Sequence, residues 1–289
     1  MKFRIALIAL LLSGAAAAQG PDWDAVEIKT TGLGHGVYML EGLGGNIGLS
    51  VGEDGVFMID DQFASLTPKI LAAVAEVTDK PIDFVINTHW HYDHVGGNEQ
   101  IAAVGATVVS HDNARVRMAA EGPNQVPEGG LPVITYSEST TFHFNGQTIY
   151  AFHPVPSHTD GDSVILFRDI DIIHAGDIFW NGFYPFIDTD SGGSVAGVVT
   201  TLRQVAAEAG PDTRIIPGHG PLGTKADVER SADMIEDSLK RVAALVAEGK
   251  NVDEIKAADL FDDYNPTWGV GFIKPDQWAE TMYKAVIAE

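Results

Sequence analysis

His89, His91, Asp93 and His94 stand close together in the run Thr88-His89-Trp90-His91-Tyr92-Asp93-His94-Val95-Gly96-Gly97. Imidazole and carboxylate bind divalent cations. The chain contains no cysteine, so any metal site must be built from His, Asp and Glu. His89 and His91 lie two residues apart beyond the apolar run Phe84-Val85-Ile86. At the end of an extended strand that spacing turns both rings to one side. Two imidazoles on one side suit one divalent cation. Asp93 and His94 come where the chain turns away and are placed to serve a second cation nearby. Such a cluster would be costly to bury without positive charge. Gly96 and Gly97 let the backbone turn closely behind it.

Three more positions complete a ligand set, each after an apolar strand or in a Gly-rich turn. They are His158 in Ser157-His158-Thr159-Asp160-Gly161-Asp162, Asp177 in Ala175-Gly176-Asp177, and His219 in Pro217-Gly218-His219-Gly220. Each is a weak signal alone; their order along the chain gives them weight together.

The elements that must position these residues can be read from pattern. Short strands are expected at Val37 to Leu40, Asn46 to Val51 and Val56 to Ile59, separated by Gly-rich turns. A helix follows, with Thr67 as N-cap, Pro68 at its first position and Ile70, Leu71, Val74 and Val77 as its apolar stripe, closed by Pro81. Phe84 to Ile86 is a buried-type strand that runs straight into the first histidines. Further strands are expected at Thr107 to Val109, Thr141 to Phe144, Thr148 to Phe152, Val164 to Phe167, Ile172 to Ile173 and Ile215 to Ile216. Thr224 and Asp227 resemble a capping box opening a helix that continues through Ile235, Leu239, Val242 and Leu245 to Gly249. Trp278, Met282 and Val286 recur four apart, as a core stripe does. Strands lead each half and helices lie between and after them, which suggests two packed sheets with helices outside, in one domain.

Composition narrows the function classes. The chain's 289 residues are 45% hydrophobic, enough for a sizeable buried core. Lys2 and Arg4, the apolar stretch Ile5 to Leu12 and the small residues Ala16-Ala17-Ala18 read as a secretory signal peptide at 1–18, leaving 19–289 as the catalytic domain in the periplasm or secreted. No later stretch is long and apolar enough for a transmembrane helix. The formal net charge is −22, and −24 without Lys2 and Arg4. That field repels nucleic acid and anionic membranes, which disfavours a nuclease and points to a small-molecule substrate. Oligomeric state cannot be read from these features.

The ligand pattern resembles the metallo-β-lactamase superfamily over nearly all of residues 19–289. The resemblance implies an α+β fold, the four-layer αββα sandwich, with the site at one edge between the sheets. Carried over residue by residue, it implies that His89, His91 and His158 hold a first metal and that Asp93, His94 and His219 hold a second. Asp60 falls where the family has an aspartate behind the ligands. Asp177 falls where the family has a bridging aspartate or, in one group of zinc β-lactamases, a cysteine on the second metal. The separations of 67 residues from His91 to His158, 19 to Asp177 and 42 to His219 are closest to that group. The implied cofactors are two Zn2+, with Mn2+ or Fe also compatible with an oxygen-rich second site. The implied reaction is attack of hydroxide on a carbonyl, since a metal lowers the pKa of bound water from 15.7 to about 7. Asp93 and Asp177 are the candidate catalytic carboxylates, Asp93 orienting the nucleophile.

The departures open a second reading. Asp177 stands in place of the cysteine, as in glyoxalase II and the acyl-homoserine lactonases. Trp180 stands where those β-lactamases carry a lysine that grips the antibiotic's carboxylate. A β-lactam-like cyclic amide or related ester is the first expectation; a lactone or thioester is the alternative. An iron redox protein is a more distant reading, because the mononuclear sulfur dioxygenases lack a full second site and the flavin-linked members carry glutamate where His91 stands. The aromatic run Trp180-Asn181-Gly182-Phe183-Tyr184-Pro185-Phe186 is a candidate substrate wall, with Tyr184 or Asn181 as a candidate oxyanion donor. Ser157 and Ser163 read as turn residues, and His153 and His174 as structural.

Overall fold

The computed structural model describes residues 20–122 and 124–288. The segment read as a signal peptide lies outside the described residues. Seven strands form one sheet in sequence order: β1 (Lys29–Gly34), β2 (Val37–Glu41), β3 (Ile47–Val51), β4 (Val56–Ile59), β5 (Ile82–Ile86), β6 (Thr107–His111) and β7 (Ile134–Tyr136). The first four pair antiparallel through short turns. From β4 onward the pairing is parallel. Parallel neighbours need crossovers, and helices supply them: α1 (Thr67–Val77), then α2 (Tyr92–Val95) and α3 (Asn98–Ala103), then α4 (Asp112–Ala119).

The second sheet holds β8 (Ser139–Phe144), β9 (Gln147–Phe152), β10 (Val164–Phe167), β11 (Ile172–His174) and β12 (Arg214–Ile216), in the order β12-β11-β10-β9-β8. Its one parallel pair, β11 with β12, is joined through α5 (Val195–Glu208). The chain closes with α6 (Lys225–Ala247), α7 (Val252–Lys256), α8 (Asn265–Trp268) and α9 (Pro275–Ala288).

Strand periodicity builds the layers. On β4, Phe57 and Ile59 face the second sheet, while Val56 and Met58 join Ile70 and Val74 of α1 and Leu66 just before it. On β10, Ile165 and Phe167 face the first sheet, while Val164 and Leu166 join the cluster that includes Val198 and Leu202 of α5, Ile235 of α6 and Trp278 of α9. A strand covered on both faces must be apolar throughout, and both strands are fully buried along their length. The result is helix, sheet, sheet, helix, the αββα arrangement expected. Among the described residues no helix is long and apolar enough to cross a membrane.

Most expected elements are present, and the differences have local causes. Thr67 is the first residue of α1 and its N-cap is Leu66, because a 3-10 turn at Ala64–Leu66 runs directly into the helix. The Thr224–Asp227 capping box opens α6 as expected, and Gly249 ends it at φ 83°. Strands β1 and β7 were not expected: each buries a single residue, Leu33 and Tyr136, and so carries little apolar signal. Helix α5 was also not expected, although Ser194 caps it through Gly197 and Val195, Val198, Leu202 and Val205 give it a helical stripe.

Candidate metal centre

Parallel pairing delivers the site. Ile59 of β4 pairs with Ile86 of β5, so Asp60 and the segment from Asn87 to His91 emerge together. His174 of β11 pairs with Ile216 of β12, so Asp177 and His219 leave the second sheet at one edge. His158 enters from the connection between β9 and β10, and Asp93 and His94 sit on the single turn α2. His89 and His91 do not belong to a strand: β5 stops at Ile86, His89 lies in the bend beyond it and His91 is the N-cap of α2. Their convergence is therefore a property of the loop and its partners, not of strand alternation.

All seven expected ligands meet. His89 Nε2 and His158 Nε2 face His91 Nδ1 at 3.1 and 2.8 Å. Asp177 Oδ2 lies 3.8 Å from His89 Nε2 and 3.5 Å from His158 Nε2. Asp177 Oδ1 lies 3.0 Å from His94 Nε2 and 3.5 Å from His219 Nε2. Asp93 Oδ2 approaches His219 Nε2 at 3.2 Å and His94 Nε2 at 3.7 Å. The side chains thus form two groups able to hold a metal ion, His89, His91, His158 and Asp177 in one, Asp93, His94 and His219 in the other. Asp177 presents one oxygen to each.

The outer hydrogen bonds fix which ring nitrogens carry protons. His158 Nδ1 donates to the carbonyl of Phe186 at 2.8 Å, and His91 Nε2 donates to Asp188 Oδ2 at 2.9 Å. His94 Nδ1 donates to Asp60 Oδ2 at 2.8 Å. The Thr88 hydroxyl donates to the same Asp60 oxygen at 2.7 Å, so it can only accept from His89 Nδ1, 3.0 Å away. Carbonyl and carboxylate oxygens cannot donate. The protons therefore lie outward, and bare nitrogen lone pairs face one another inside. The His91 lone pair thus lies about 3 Å from those of both His89 and His158, and they repel unless a cation lies among them. The donor set fits a divalent metal in each group, with its outer partners already in place.

The charge balance agrees. Burial alone would raise the Asp177 carboxyl, but the surrounding imidazoles hold it well below the usual range. Burial pushes His89 well down and His158 down to about 4. Burial also opposes charge on His94 and His219, yet the neighbouring carboxylates outweigh it, lifting His94 well up and His219 to about 9. The carboxylates of Asp177 and Asp93 draw positive charge into the site.

Close packing constrains the loop over the centre. A Cβ on Gly45 would lie 2.0 Å from His94 Cε1, so only glycine lets this segment pass over the ring. Asp60 holds φ at 59°, a left-handed conformation uncommon for a side-chain-bearing residue, and its carboxylate serves Thr88 and His94 at once. Asp188 was not found by sequence reasoning. It lies 97 residues from His91 in an acidic turn, with no local feature to tie them. Burial would raise its carboxyl, but hydrogen bonds from His91 and Ser191 bring it down to about 2.

A cleft of about 900 Å3 opens onto the centre, reaching His91, Asp93, Asp177 and His219. The aromatic run contributes Trp180, Phe183 and Phe186 to its wall. It does not supply the expected oxyanion donors. Tyr184 is fully buried on the far side, stacked on Trp278, and its hydroxyl donates to Asn265 Oδ1 at 3.0 Å. Asn181 spends its amide on the carbonyl of Pro221 at 2.9 Å. Alternate residues of a loop with one buried face cannot all reach the cleft. His174 and His153 are structural, donating to the carbonyls of Asn46 and Asp162.

A family model described as the metallo-beta-lactamase superfamily matches residues 40–223, a span that includes every residue of the centre. The chain belongs to the metallo-β-lactamase superfamily. It is 22% identical over 184 residues to metallo-beta-lactamase type 2 of Bacillus cereus, covering 63% of this chain and 69% of that protein. It is 27% identical over 195 residues to hydroxyacylglutathione hydrolase of Rhodospirillum rubrum, covering 67% of each. Its fold is similar to that of a metallo-beta-lactamase from Pontibacter korlensis, with a TM-score of 0.64 at 18% identity, over 73% of this chain and 99% of that one. As a member of this superfamily the chain is a metal-dependent hydrolase acting on a small molecule. These relatives differ in substrate, so membership alone leaves the scissile bond open.

Proposed function

We propose that the chain is an exported two-zinc hydrolase that opens a carbonyl compound. The observation that carries this reading is the set of inward lone pairs on His89, His91 and His158, opposite the second group, with one oxygen of Asp177 directed to each. His89, His91 and His158 would hold the first ion and Asp93, His94 and His219 the second, with Asp177 placed to serve both. The ions, when bound, supply a hydroxide at neutral pH and polarise the carbonyl under attack. Asp93 is the one partly exposed carboxylate of the set and lines the cleft; it would orient the hydroxide at the carbonyl carbon, and as the bond from that carbon to the leaving oxygen, nitrogen or sulfur breaks, the leaving atom takes up the hydroxide's proton. Asp60, Asp188 and Thr88 hold the rings in register.

Esters, lactones and thioesters fit this cleft better than β-lactams. Trp180 lies against His219 with ring centroids 4.2 Å apart and planes tilted by 43°, at the position where a lysine would grip an antibiotic's carboxylate. Its ring offers no charge to replace that contact. Elemental analysis of the purified, fully loaded chain should give two metal ions per molecule, and at most one would overturn the proposal. Predominant native iron with no hydrolysis would favour a redox protein instead. Turnover of lactones and thioesters should exceed that of nitrocefin. Export, read from residues 2–18, is tested by N-terminal sequencing: the exported form should begin at Gln19.

A further inference from the structure

We infer that the cleft selects an uncharged substrate carrying an apolar alkyl or aryl arm and discriminates against one whose arm ends in a carboxylate. The inference rests on the proposed hydrolysis of a carbonyl compound and names its substrate class. Leu43, Phe63, Trp180, Phe183, Phe186 and Phe272 come to the cleft from four separate segments of the chain. They form a wall continuous with the metal centre. Phe272 meets Phe186 edge-on at 6.4 Å, Phe186 lies 5.7 Å from His91, and Trp180 lies against His219. Phe272 and Leu43 remain 71% and 46% exposed at the mouth. Apolar groups gathered around one concave site, left open to water, are what an apolar ligand covers.

Phe272 is held in place from behind. A Cβ on Gly271 would lie 2.6 Å from Phe183 Cδ1, so the glycine lets this segment rest on the Phe183 ring. The charges point the same way. Among the described residues no Lys or Arg lines the cleft, whereas Glu41 does; the carboxylates of Asp93 and Asp177 belong to the metal centre. Lys29 bonds Glu41 at 2.7 Å and is thereby already paired. The whole chain carries a formal −22, a field that disfavours an approaching anion. A carboxylate at the end of the substrate arm, directed away from the metal centre, would lose water in an aromatic slot without gaining a Lys or Arg partner.

Two arms test this on the zinc-loaded chain. In the first, kcat/KM is compared for 4-nitrophenyl hexanoate and the 4-nitrophenyl monoester of adipic acid, which differ by a terminal carboxylate. In the second, calorimetric binding is compared for N-hexylacetamide and 6-acetamidohexanoate, neither of which needs to be hydrolysed. The neutral member should be preferred by about tenfold in both pairs. Trp180→Lys should reduce that preference, and Phe272→Ala should lower the hexanoate-to-acetate ratio of kcat/KM by about tenfold. Neutral preference in binding with no turnover of any ester would support the cleft assignment and count against the carbonyl hydrolase. Turnover of both esters with no preference in either pair, or with the carboxylate preferred, would overturn the inference and leave the hydrolase standing.

Discussion

At the scale of single residues, the centre depends on groups that never touch a metal as much as on those that would. Asp188 accepts from His91 Nε2 and is itself held by Ser191 N at 3.1 Å, so it sets both the tautomer and the plane of that ring. Partners of this kind cost roughly 10–100-fold in metal affinity when removed. Asp188→Asn should weaken first-site metal by that amount in a competition titration against a chelator, with the fold intact by circular dichroism. Unchanged affinity would show that His91 is positioned by packing alone. Asp177→Ala should do more, lowering turnover by at least about 100-fold and weakening both sites. His174 offers a test away from the ligands. It is fully buried, donates to the Asn46 carbonyl and accepts from Gly176 N, and burial brings its pKa from 6.5 down to about 4. The unfolded chain takes up a proton below pH 6.5 that the folded chain refuses until about pH 4. Its contribution is therefore complete above pH 6.5 and is lost as pH falls, by about 3 kcal/mol across that window. His174→Gln should flatten the acid side of the stability profile, measured as unfolding free energy at pH 7.5 and 4.5; an unchanged slope would exclude the assignment.

At the scale of elements, the strands bring ligands to one edge and the short segments beyond them do the aiming. The loop from Gly42 to Gly45 is one such segment: Gly45 N donates to the Asp93 carbonyl at 3.0 Å while its α-carbon passes against the His94 ring. Gly45→Ala should displace His94 and lose second-site metal while leaving the denaturation midpoint of the metal-free chain nearly unchanged. Thr224→Ala should do the reverse. It removes the cap of α6, whose hydroxyl accepts from Asp227 N and whose backbone N–H is answered by the Asp227 carboxylate. That loss costs about 1 kcal/mol of stability, with metal content unaltered. If both variants changed the same quantity, scaffold and site would not be separable in this protein.

At the scale of the whole molecule, the centre ties the two sheets together. His89, His91, Asp93 and His94 follow strand β5 of the seven-stranded sheet, and His158, Asp177 and His219 belong to connections of the five-stranded sheet. A cation held by both groups stabilises only the folded pairing. A site filled at 1,000 times its dissociation constant adds about 4 kcal/mol, which in a chain of this size corresponds to roughly 10 °C in midpoint. Chelation should therefore lower the calorimetric midpoint by about that much and reloading with zinc should restore it. A midpoint indifferent to chelator would mean that the sheets are locked without metal, through the buried layer of Phe57, Ile59, Ile165 and Phe167 alone.

The residue types and spacing of His89, His91, Asp93, His94, His158, Asp177 and His219 were legible in the chain because ligand chemistry admits few side chains and the intervals between them are characteristic. The central strands were legible too, since burial on both faces demands unbroken apolar runs such as Val56 to Ile59. Edge strands β1 and β7 were not, because a strand with one buried residue is held by its neighbour's backbone rather than by its own pattern. Helix α5 carries a cap in Ser194 and a stripe in Val195, Val198, Leu202 and Val205 that are legible in the chain once its place between β11 and β12 is known. Which face of the run from Trp180 to Phe186 meets the cleft was decided only by tertiary packing: Trp278 takes Tyr184 into the core, Pro221 takes the amide of Asn181, and Trp180, Phe183 and Phe186 are left on the wall. The pairing of Asp188 with His91 had the same origin. A hydrogen bond between residues so far apart in sequence leaves no local periodicity, and it exists only because the two sheets bring their connections to a common edge.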